Sequence, residues 1–236
     1  MSGANASPIG RSHQGMSVRV GIVDSGINPD HPHVGKVMGG VFFHAEGESP
    51  DFVDRIGHGT AVAGVIREKA PAAELYAVRI FDRRLSANID TLMRGLDWCL
   101  GHGIHIVNLS IGTRNEHHRV RFEDFLRRAH SQGVFVVSAA NMLPGMLEGA
   151  IGVDSHVECD RETCRFRSGT FLASPHPRSI PGVPREFNLH GISFAIANCT
   201  GLLVRVMELH GPADAYREFL ARAQNDNSAR SPLWAK

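Results

Sequence analysis

The chain has 236 residues, of which 42% are hydrophobic and 21% are charged. This length and composition suit one α/β domain with a full hydrophobic core and exclude an intrinsically disordered chain. Lys and Arg number 25, Asp and Glu number 24, and the formal net charge is +1. Nucleic acids and anionic membrane surfaces select strongly basic proteins, so we expect neither as a partner.

The polar N-terminus and the lengths of the apolar runs bear on localisation. No apolar run approaches the roughly 18 residues that span a bilayer, so we expect no membrane-spanning helix. Residues 1–16 are polar, lack the apolar segment of a secretory signal and are predicted to form a flexible tail. At face value these features indicate a cytoplasmic protein, and a secreted one if the sequence is a processed form.

Apolar strands alternate with helical patterns along the chain. Strands are predicted at 18–24, 37–43, 74–81, 104–112, 134–141 and 149–154, and helices at 57–70, 88–102, 121–132, 193–209 and 212–223. Residues 171–190 are rich in proline and predicted to be irregular, and residues 224–236 are predicted to be a loose C-terminal tail.

This alternation predicts the α/β class, with a mostly parallel sheet and helices on both faces, over one domain at residues 17–223. Working groups in such sheets gather beyond the carboxyl ends of the strands. Asp24, Ser110 and Asn141 each stand at or near the end of a predicted strand. We therefore expect these three residues at one rim of the sheet.

The four cysteines allow two interpretations. Cys99 and Cys199 lie in apolar helical patterns, where cysteine usually acts as a small buried hydrophobe. Cys159 and Cys164 flank the sequence DRET, which is typical of a hairpin turn, so a cross-strand disulfide is one alternative. Two thiols are the favoured alternative without a secretory signal, and no spacing indicates a zinc site.

Four residues could together hydrolyse a peptide bond, which needs a nucleophile, a base, a group that orients the base, and oxyanion donors. Ser193 begins a helix, His58 stands between two glycines, Asp24 ends a strand and Asn141 ends another. Each residue also has a purely structural interpretation, since serine caps helices and aspartate favours turns.

Several segments together resemble the subtilisin-like serine proteases. The resemblance lies in the sequences DSG at Asp24, GHGTAVAG around His58, GVFVVSAAN ending at Asn141, and GISFA around Ser193, with further similar segments between residues 17 and 210. The chain order Asp, His, Ser is also the order of that family.

The resemblance implies a role for each matching residue. Ser193 would be the nucleophile, His58 the general base, Asp24 its orienting carboxylate, and Asn141 an oxyanion donor beside the Ser193 backbone N–H. For the substrate it implies one pocket wall at Ser110, Ile111 and Gly112, a facing wall at Ala139 and Ala140, and an edge for an extended peptide at Leu85, Ser86 and Ala87.

The chain also departs from the family pattern. Ile192, Ala140, Ala197, Asn198 and Ala61 stand where the family commonly has Thr, Gly, Pro, His and His. The helix after His58 runs into Pro71 without the loop that binds calcium in secreted members, so we expect no cofactor and no calcium requirement at that place. Residues 142–150 are few, which predicts a shallow or reshaped specificity pocket.

The resemblance implies a serine endopeptidase acting on a protein or peptide substrate, and we expect limited processing of one dedicated protein or precursor peptide. The expected partner is that dedicated precursor or an inhibitor. Two alternatives stay open. Ile192 and Ala140 would also suit a pseudoprotease that only binds peptides. An acyl-enzyme could also pass its acyl group to an amine, which would make the protein a peptide ligase or macrocyclase.

Overall fold

The computed structural model describes residues 16–82 and 84–225. Most of the predicted N-terminal tail, Arg83 and residues 226–236 lie outside this part. The strands are β1 (Arg19–Asp24), β2 (Val37–His44), β3 (Gly47–Ser49), β4 (Glu74–Arg79), β5 (Ile106–Leu109), β6 (Phe135–Ala139), β7 (Ile151–Ser155), β8 (Cys164–Arg167) and β9 (Thr170–Ala173). The helices are α1 (His58–Lys69), α2 (Ile89–Gly101), α3 (Arg119–Ser131), α4 (Ile192–His210) and α5 (Pro212–Asn225).

Within the described residues, nine strands form one sheet in the order β3-β2-β4-β1-β5-β6-β7-β9-β8. All pairs from β2 to β9 in this order are parallel. Only the two outermost pairs, β2 with β3 and β8 with β9, are antiparallel. The mostly parallel α/β sheet that the sequence predicts is therefore confirmed.

Helices cover both faces of the sheet and bury two hydrophobic cores. The α1/α4 face packs α1, α4 and α5 against residues such as Val20 and Ile22. The α2/α3 face packs α2 and α3 against residues such as Val23 and Val107. Successive side chains of a strand point to opposite faces, so one central strand such as β1 supplies both cores.

Helix α4 is the buried centre of the α1/α4 face, and its residues from Phe194 to Met207 are buried. By length and composition it could cross a bilayer, which the sequence prediction had missed. However, 78% of that stretch is buried inside the fold. A core helix of a folded domain passes the same test, so the finding is weak support for a membrane span.

Three predicted boundaries are wrong. The segment predicted to be irregular begins later, because residues 170–173 form β9 and pair with β8. The last helix runs to Asn225, so residues 224 and 225 do not belong to a tail. Met16, placed in the N-terminal tail, packs against the core of the α1/α4 face.

The hairpin predicted at the sequence DRET is also misplaced. The turn between β8 and β9 lies at Ser168 and Gly169, which have φ angles of 49° and 83°. All four cysteines are buried thiols, and the Cys159–Cys164 disulfide left open by the sequence is not formed. Cys164 Sγ instead lies 4.0 Å from Cys199 Sγ on α4.

The strands that carry the candidate site end close to their predicted ends. β1 ends at Asp24 itself, whereas β5 ends at Leu109 and β6 at Ala139, two or three residues before the predicted limits. β1, β5 and β6 are parallel neighbours in the sheet. Their carboxyl ends therefore meet at one edge, as expected, and place Asp24 beside the loops that begin at Ser110 and Ala140.

Candidate active site

Asp24 and His58 are in direct contact. Asp24 is the last residue of β1 and is fully buried, and His58 is the first residue of α1 with a side chain that is 19% exposed. His58 Nδ1 lies 2.7 Å from Asp24 Oδ1, which also accepts a hydrogen bond from the Ser25 N–H at 2.7 Å. This contact fixes the imidazole and leaves its Nε2 as the nitrogen that can act as a base.

Two small residues hold the start of α1 against the end of β1. The Gly59 N–H donates to Ser25 Oγ at 2.9 Å, and Ser25 is fully buried. A Cβ atom on Gly59 would lie 2.2 Å from the Gly26 carbonyl oxygen and 3.2 Å from Asp24 Cβ. Only glycine permits this approach, so Gly59 sets the distance between the two elements.

Asp54 also shapes the start of α1, and sequence reasoning missed it. Its Oδ1 accepts from the N–H groups of Ile56 and Gly57, both at 2.8 Å. Its Oδ2 accepts from the N–H of Thr60 at 2.9 Å and from Thr60 Oγ1 at 2.6 Å. A carboxylate at the N-terminus of a helix satisfies free donors and complements the helix dipole.

Both carboxylates act on the titration of His58. Burial alone would lower the pKa of His58, but the hydrogen bond and charge of Asp24 and the charge of Asp54 together raise it above 6.5. Burial would raise the pKa of Asp54, and the hydrogen bonds from Thr60, Gly57 and Ile56 outweigh it and hold that pKa below 3.8. Asp54 therefore stays charged at neutral pH and favours the imidazolium form of His58.

Ser193 lies in the first turn of α4, as predicted. Gly191 precedes this helix with φ at 148°, a conformation that favours glycine. The Phe194 ring is 5.9 Å from the His58 ring, so the start of α4 lies beside the start of α1. Among the described residues, Ser193 makes no side-chain hydrogen bond with His58. Catalytic hydrogen bonds are often loose without substrate and tighten when it binds.

Asn141 lies just beyond β6, and its side chain is exposed. The neighbouring backbone is fixed, because the Ala140 N–H donates to the Val153 carbonyl at 2.9 Å. The Ser193 N–H belongs to the first turn of α4, where amides have no acceptor within the helix. A side-chain amide just beyond β6 and a backbone amide in the first turn of α4 are therefore each available as an oxyanion donor.

The two predicted pocket walls follow β5 and β6, and the loops that continue from them join just beyond the walls. Thr113 and Leu143 exchange two backbone hydrogen bonds, at 3.1 and 2.9 Å, and join the two loops. A Cβ on Gly112 would lie 2.7 Å from Met142 Cβ, so the end of one wall is in close contact with the loop after the other. This contact fits the reshaped pocket that the short 142–150 loop predicts.

The predicted peptide edge lies between β4 and α2. Leu85 is 50% exposed and Ser86 is exposed, whereas Ala87 packs against the core of the α2/α3 face. Asn88 then caps α2 by accepting from the Thr91 N–H at 2.7 Å. The edge is thus anchored at one end and accessible to a substrate.

Asn198 is a second residue whose role the sequence did not reveal. It is fully buried in α4, and its Nδ2 donates to the carbonyls of Ser174 and His176 at 2.9 and 3.0 Å. The Gly191 N–H donates to the Pro175 carbonyl at 2.9 Å. The segment 174–176 therefore braces the residues just before Ser193. An amide within an apolar helix was the only signal of this role.

The fold and the Asp24–His58 contact beside a helix-borne serine define the subtilisin-like class of serine proteases. The family model described as "Subtilase family" matches residues 15–170, about two thirds of the chain. The chain belongs to that family. The matched range ends before α4, so the position of Ser193 rests on the structure and on the GISFA motif.

Curated relatives match a shorter part of the chain. The minor extracellular protease Epr of Bacillus subtilis is 33% identical over 135 residues, which cover 53% of this chain and 20% of that protein. Subtilisin Savinase of Lederbergia lenta is 36% identical over 139 residues, covering 55% and 49%. The chain thus spans at most about half the length of these relatives.

Two solved structures share the fold. A cold-adapted subtilisin-like serine proteinase aligns with a TM-score of 0.67 at 20% identity, covering 92% of this chain and 85% of that one. A lanthipeptide protease aligns with a TM-score of 0.64 at 19% identity, covering 85% and 74%. At these identities the likeness shows the fold alone.

Proposed function

We propose that the chain is a serine endopeptidase that hydrolyses peptide bonds through an acyl-enzyme on Ser193. The contact between His58 Nδ1 and fully buried Asp24 Oδ1, at 2.7 Å, carries this proposal. A carboxylate in that position fixes the tautomer of the imidazole and stabilises the imidazolium that forms when the base accepts a proton.

The reaction follows from the placement of these groups. Ser193 Oγ attacks the carbonyl carbon of the substrate, and His58 Nε2 accepts the hydroxyl proton. The Asn141 amide and the Ser193 N–H stabilise the oxyanion of the tetrahedral intermediate. His58 then gives its proton to the leaving amine, and water, activated by the same imidazole, hydrolyses the acyl-enzyme.

Substrate binding must bring the Ser193 hydroxyl onto His58, because this hydrogen bond is absent from the described structure. This absence, together with Ile192 and Ala140, favours the alternative of a peptide-binding pseudoprotease. Against it stand the buried, hydrogen-bonded carboxylate and the raised pKa of His58, which a protein without catalysis does not need.

The proposed substrate is one dedicated protein or precursor peptide. Gly112, at the end of one predicted wall, is in close contact with Met142 on the loop after the facing wall, so this loop leaves less space for varied side chains than one standing away from the wall would. Because one structural neighbour is described as a lanthipeptide protease, precursor peptides are the first substrates to test.

A fluorophosphonate probe tests the nucleophile directly. The wild type should be labelled, Ser193→Ala should not, and Ser179→Ala, at an exposed serine in the preceding segment, should be labelled like the wild type. Labelling that persists in Ser193→Ala would reject this nucleophile. Absence of labelling in the wild type would support the pseudoprotease.

Product masses separate hydrolysis from acyl transfer. A preparation whose activity the probe has established in a separate sample is incubated, unlabelled, with candidate precursors. Hydrolysis should give two fragments whose summed mass exceeds that of the precursor by one water. A product that has lost the leaving segment and joined an amine would show the ligase or macrocyclase alternative instead.

A further inference from the structure

A cavity of about 430 Å³ lies beside the candidate active site and takes no part in the proposed reaction. It is lined by the loop after β1, by the first two turns of α1 with the residues just before them, and by the segment that precedes α4. Its apolar walls come from Pro32, Ala61, Gly64, Pro177, Ile180 and Leu189, and its polar walls include Asn28, His31, His33, Asp54 and Arg178.

Small residues on α1 make room for this cavity. Ala61 and Gly64 are three residues apart, which places them on one side of the helix. A Cβ on Gly64 would meet His33 Cβ at 3.4 Å, an ordinary contact, so the loop after β1 lies directly over the helix. On the opposite side of the cavity, the Asn188 side-chain amide donates to the Arg178 carbonyl at 3.1 Å and fixes the segment that precedes α4.

The cavity lies on the side of the site where a leaving segment must go. Ile111 of one predicted wall and Ala87 of the edge pack against the core of the α2/α3 face, whereas Ala139 of the facing wall lies in the core of the α1/α4 face. The acyl part of a substrate would run between Ile111 and Ala87. Ala61 and Ile192 pack against the core of the α1/α4 face. A substrate whose acyl part lies along those walls therefore passes His58 and Ser193 and continues onto the α1/α4 face, where the cavity opens.

Three of the ionisable groups around the cavity are paired or neutral. Asp54 accepts four hydrogen bonds from the start of α1. Arg178 Nε lies 3.9 Å from Glu68 Oε1. Burial, followed by the charges of Arg178 and His31, lowers the pKa of His33 below 6.5. Asp54, Arg178 and His33 therefore offer no unpaired charge to an acidic or basic ligand at neutral pH.

We propose that this cavity binds an apolar side chain, such as Leu or Phe, from the substrate segment that follows the scissile bond. Ala61, Ile180 and Leu189 would then determine specificity on the leaving side. Ile180 and Leu189 are 45% and 56% exposed, and a bound side chain would cover them. Burial of apolar surface drives this binding. The inference rests on the proposed peptidase function.

The test uses internally quenched peptides with a random mixture of residues before the scissile bond. One of the first three positions after that bond is Leu, Phe, Ser or Asp. Rates are divided by the concentration of active sites, which fluorophosphonate titration of a separate sample of the same enzyme gives, so that only competent molecules count. At one position, kcat/KM for Leu or Phe should exceed that for Ser by about tenfold, a usual ratio for an apolar pocket.

Two variants connect this preference to the cavity. Ala61→His places an imidazole in the space and should reduce the preference to less than about twofold. Leu189→Ser removes an apolar wall at an exposed position, cannot disturb the core, and should also weaken it. Phe187→Ser is the matched control, because Phe187 is 78% exposed on the same segment and does not line the cavity.

The outcomes separate the two proposals. A labelled wild type with equal rates for Leu, Phe and Ser at all three positions overturns the cavity inference and leaves the peptidase proposal standing. A preference that survives in both Ala61→His and Leu189→Ser also overturns it. A wild type that is not labelled overturns the peptidase proposal, and the leaving-side role of the cavity with it.

Discussion

Asp24 and His58 are 34 residues apart in the sequence, and the atoms between them explain why they meet. Ser25 Oγ accepts a hydrogen bond from the Gly59 N–H, and Asp54 Oδ2 accepts one from the Thr60 N–H. Both bonds fix the first turn of α1, which carries His58. The candidate base is therefore positioned by backbone groups on both sides. Substitutions that keep His58 and Asp24 but change these supports should still alter its chemistry.

Replacing Asp54 by Asn should lower the pKa of His58, because it removes a negative charge that favours the imidazolium. His58 must be neutral to act as a base, so its activity rises as pH rises through that pKa. The acid limb of the fluorophosphonate labelling rate should therefore move to lower pH in Asp54→Asn. NMR titration of the His58 ring measures the same shift directly.

Asp30→Asn is the control for this change, since Asp30 is an exposed carboxylate on the loop after β1. It should leave the pH profile in place. The Asp54→Asn protein should also lose about 1–3 kcal/mol of stability, because its amide nitrogen faces donors that need an acceptor. An unchanged titration of His58 in a folded Asp54→Asn protein would contradict the electrostatic role of Asp54.

Replacing Asn141 by Ala should lower kcat by about 10²–10³, which corresponds to the loss of one oxyanion donor, roughly 2.7–4 kcal/mol. The side chain is exposed, so the melting temperature should change little. Steady-state kinetics and thermal unfolding measure the two effects. Gln132→Ala, at an exposed amide after α3, should change neither kcat nor the melting temperature. If Gln132→Ala lowers kcat as much as Asn141→Ala does, the loss is not specific to Asn141 and its role as an oxyanion donor is contradicted.

The sequence could indicate His58, Asp24, Asn141 and Ser193 because each stands at an element boundary with a recognisable local pattern. Asp54 has no such signal, since an aspartate in a loop is common and its four donors are known only when α1 is placed. The cavity beside Ala61 was invisible for a similar reason. Its walls come from three segments that only the fold brings together.

At the scale of elements, the approach of α1 to β1 depends on Gly59. Gly59→Ala would place a Cβ 2.2 Å from the Gly26 carbonyl oxygen, so the helix must shift. We expect a loss of about 1–3 kcal/mol of stability and a strong loss of labelling at Ser193, because His58 moves with the helix. Chemical denaturation and the fluorophosphonate probe measure these two quantities.

Gly101→Ala is the matched control for this substitution. Gly101 is the last residue of α2, and a Cβ there would meet nothing within 4 Å. Alanine has the higher helix propensity, so this variant should be as stable as the wild type or more stable by up to about 1 kcal/mol. If both variants behave alike, the close approach of α1 and β1 does not control the site.

The parallel strands were predictable because they are buried on both faces and form short apolar runs, as in residues 104–109. β8 was missed because Arg165 and Arg167 interrupt its apolar pattern, and the strand lies at the edge of the sheet. Its partner β9 directly precedes the proline-rich segment and was merged with it. Edge strands depend on their neighbours, so local sequence specifies them less well.

Across the whole molecule, a cluster of charges joins α1, α4 and the turn before β8. The side chain of Lys69 is fully buried, and its Nζ lies 3.5 Å from Glu162 and 3.6 Å from Glu68. Arg205 of α4 binds Glu162 at 3.0 Å, and Arg161 pairs with Glu68. Each carboxylate thus has an arginine partner in addition to Lys69.

This arrangement makes the stability of the fold depend on the titration of Lys69. Burial lowers the pKa of Lys69 from 10.5 to about 8, and the charges of Glu162 and Glu68 oppose this only in part. Between these two values the unfolded chain holds a proton that the folded protein has released. The free energy of unfolding contributed by this group therefore rises as pH rises from about 8 to about 10.5.

Replacing Lys69 by Met should remove this rise, about 1–3 kcal/mol, because methionine fills similar space without a charge. Both carboxylates keep an arginine, so the variant should be at least as stable as the wild type at pH 7. Chemical denaturation at pH 7.5 and 10 measures the difference, with Lys36→Met, at an exposed lysine, as the control. The other titrating groups are the same in the wild type and Lys69→Met, so their contributions cancel in the comparison. If Lys69→Met gains as much stability between pH 7.5 and 10 as the wild type, Lys69 is charged and well solvated over this range.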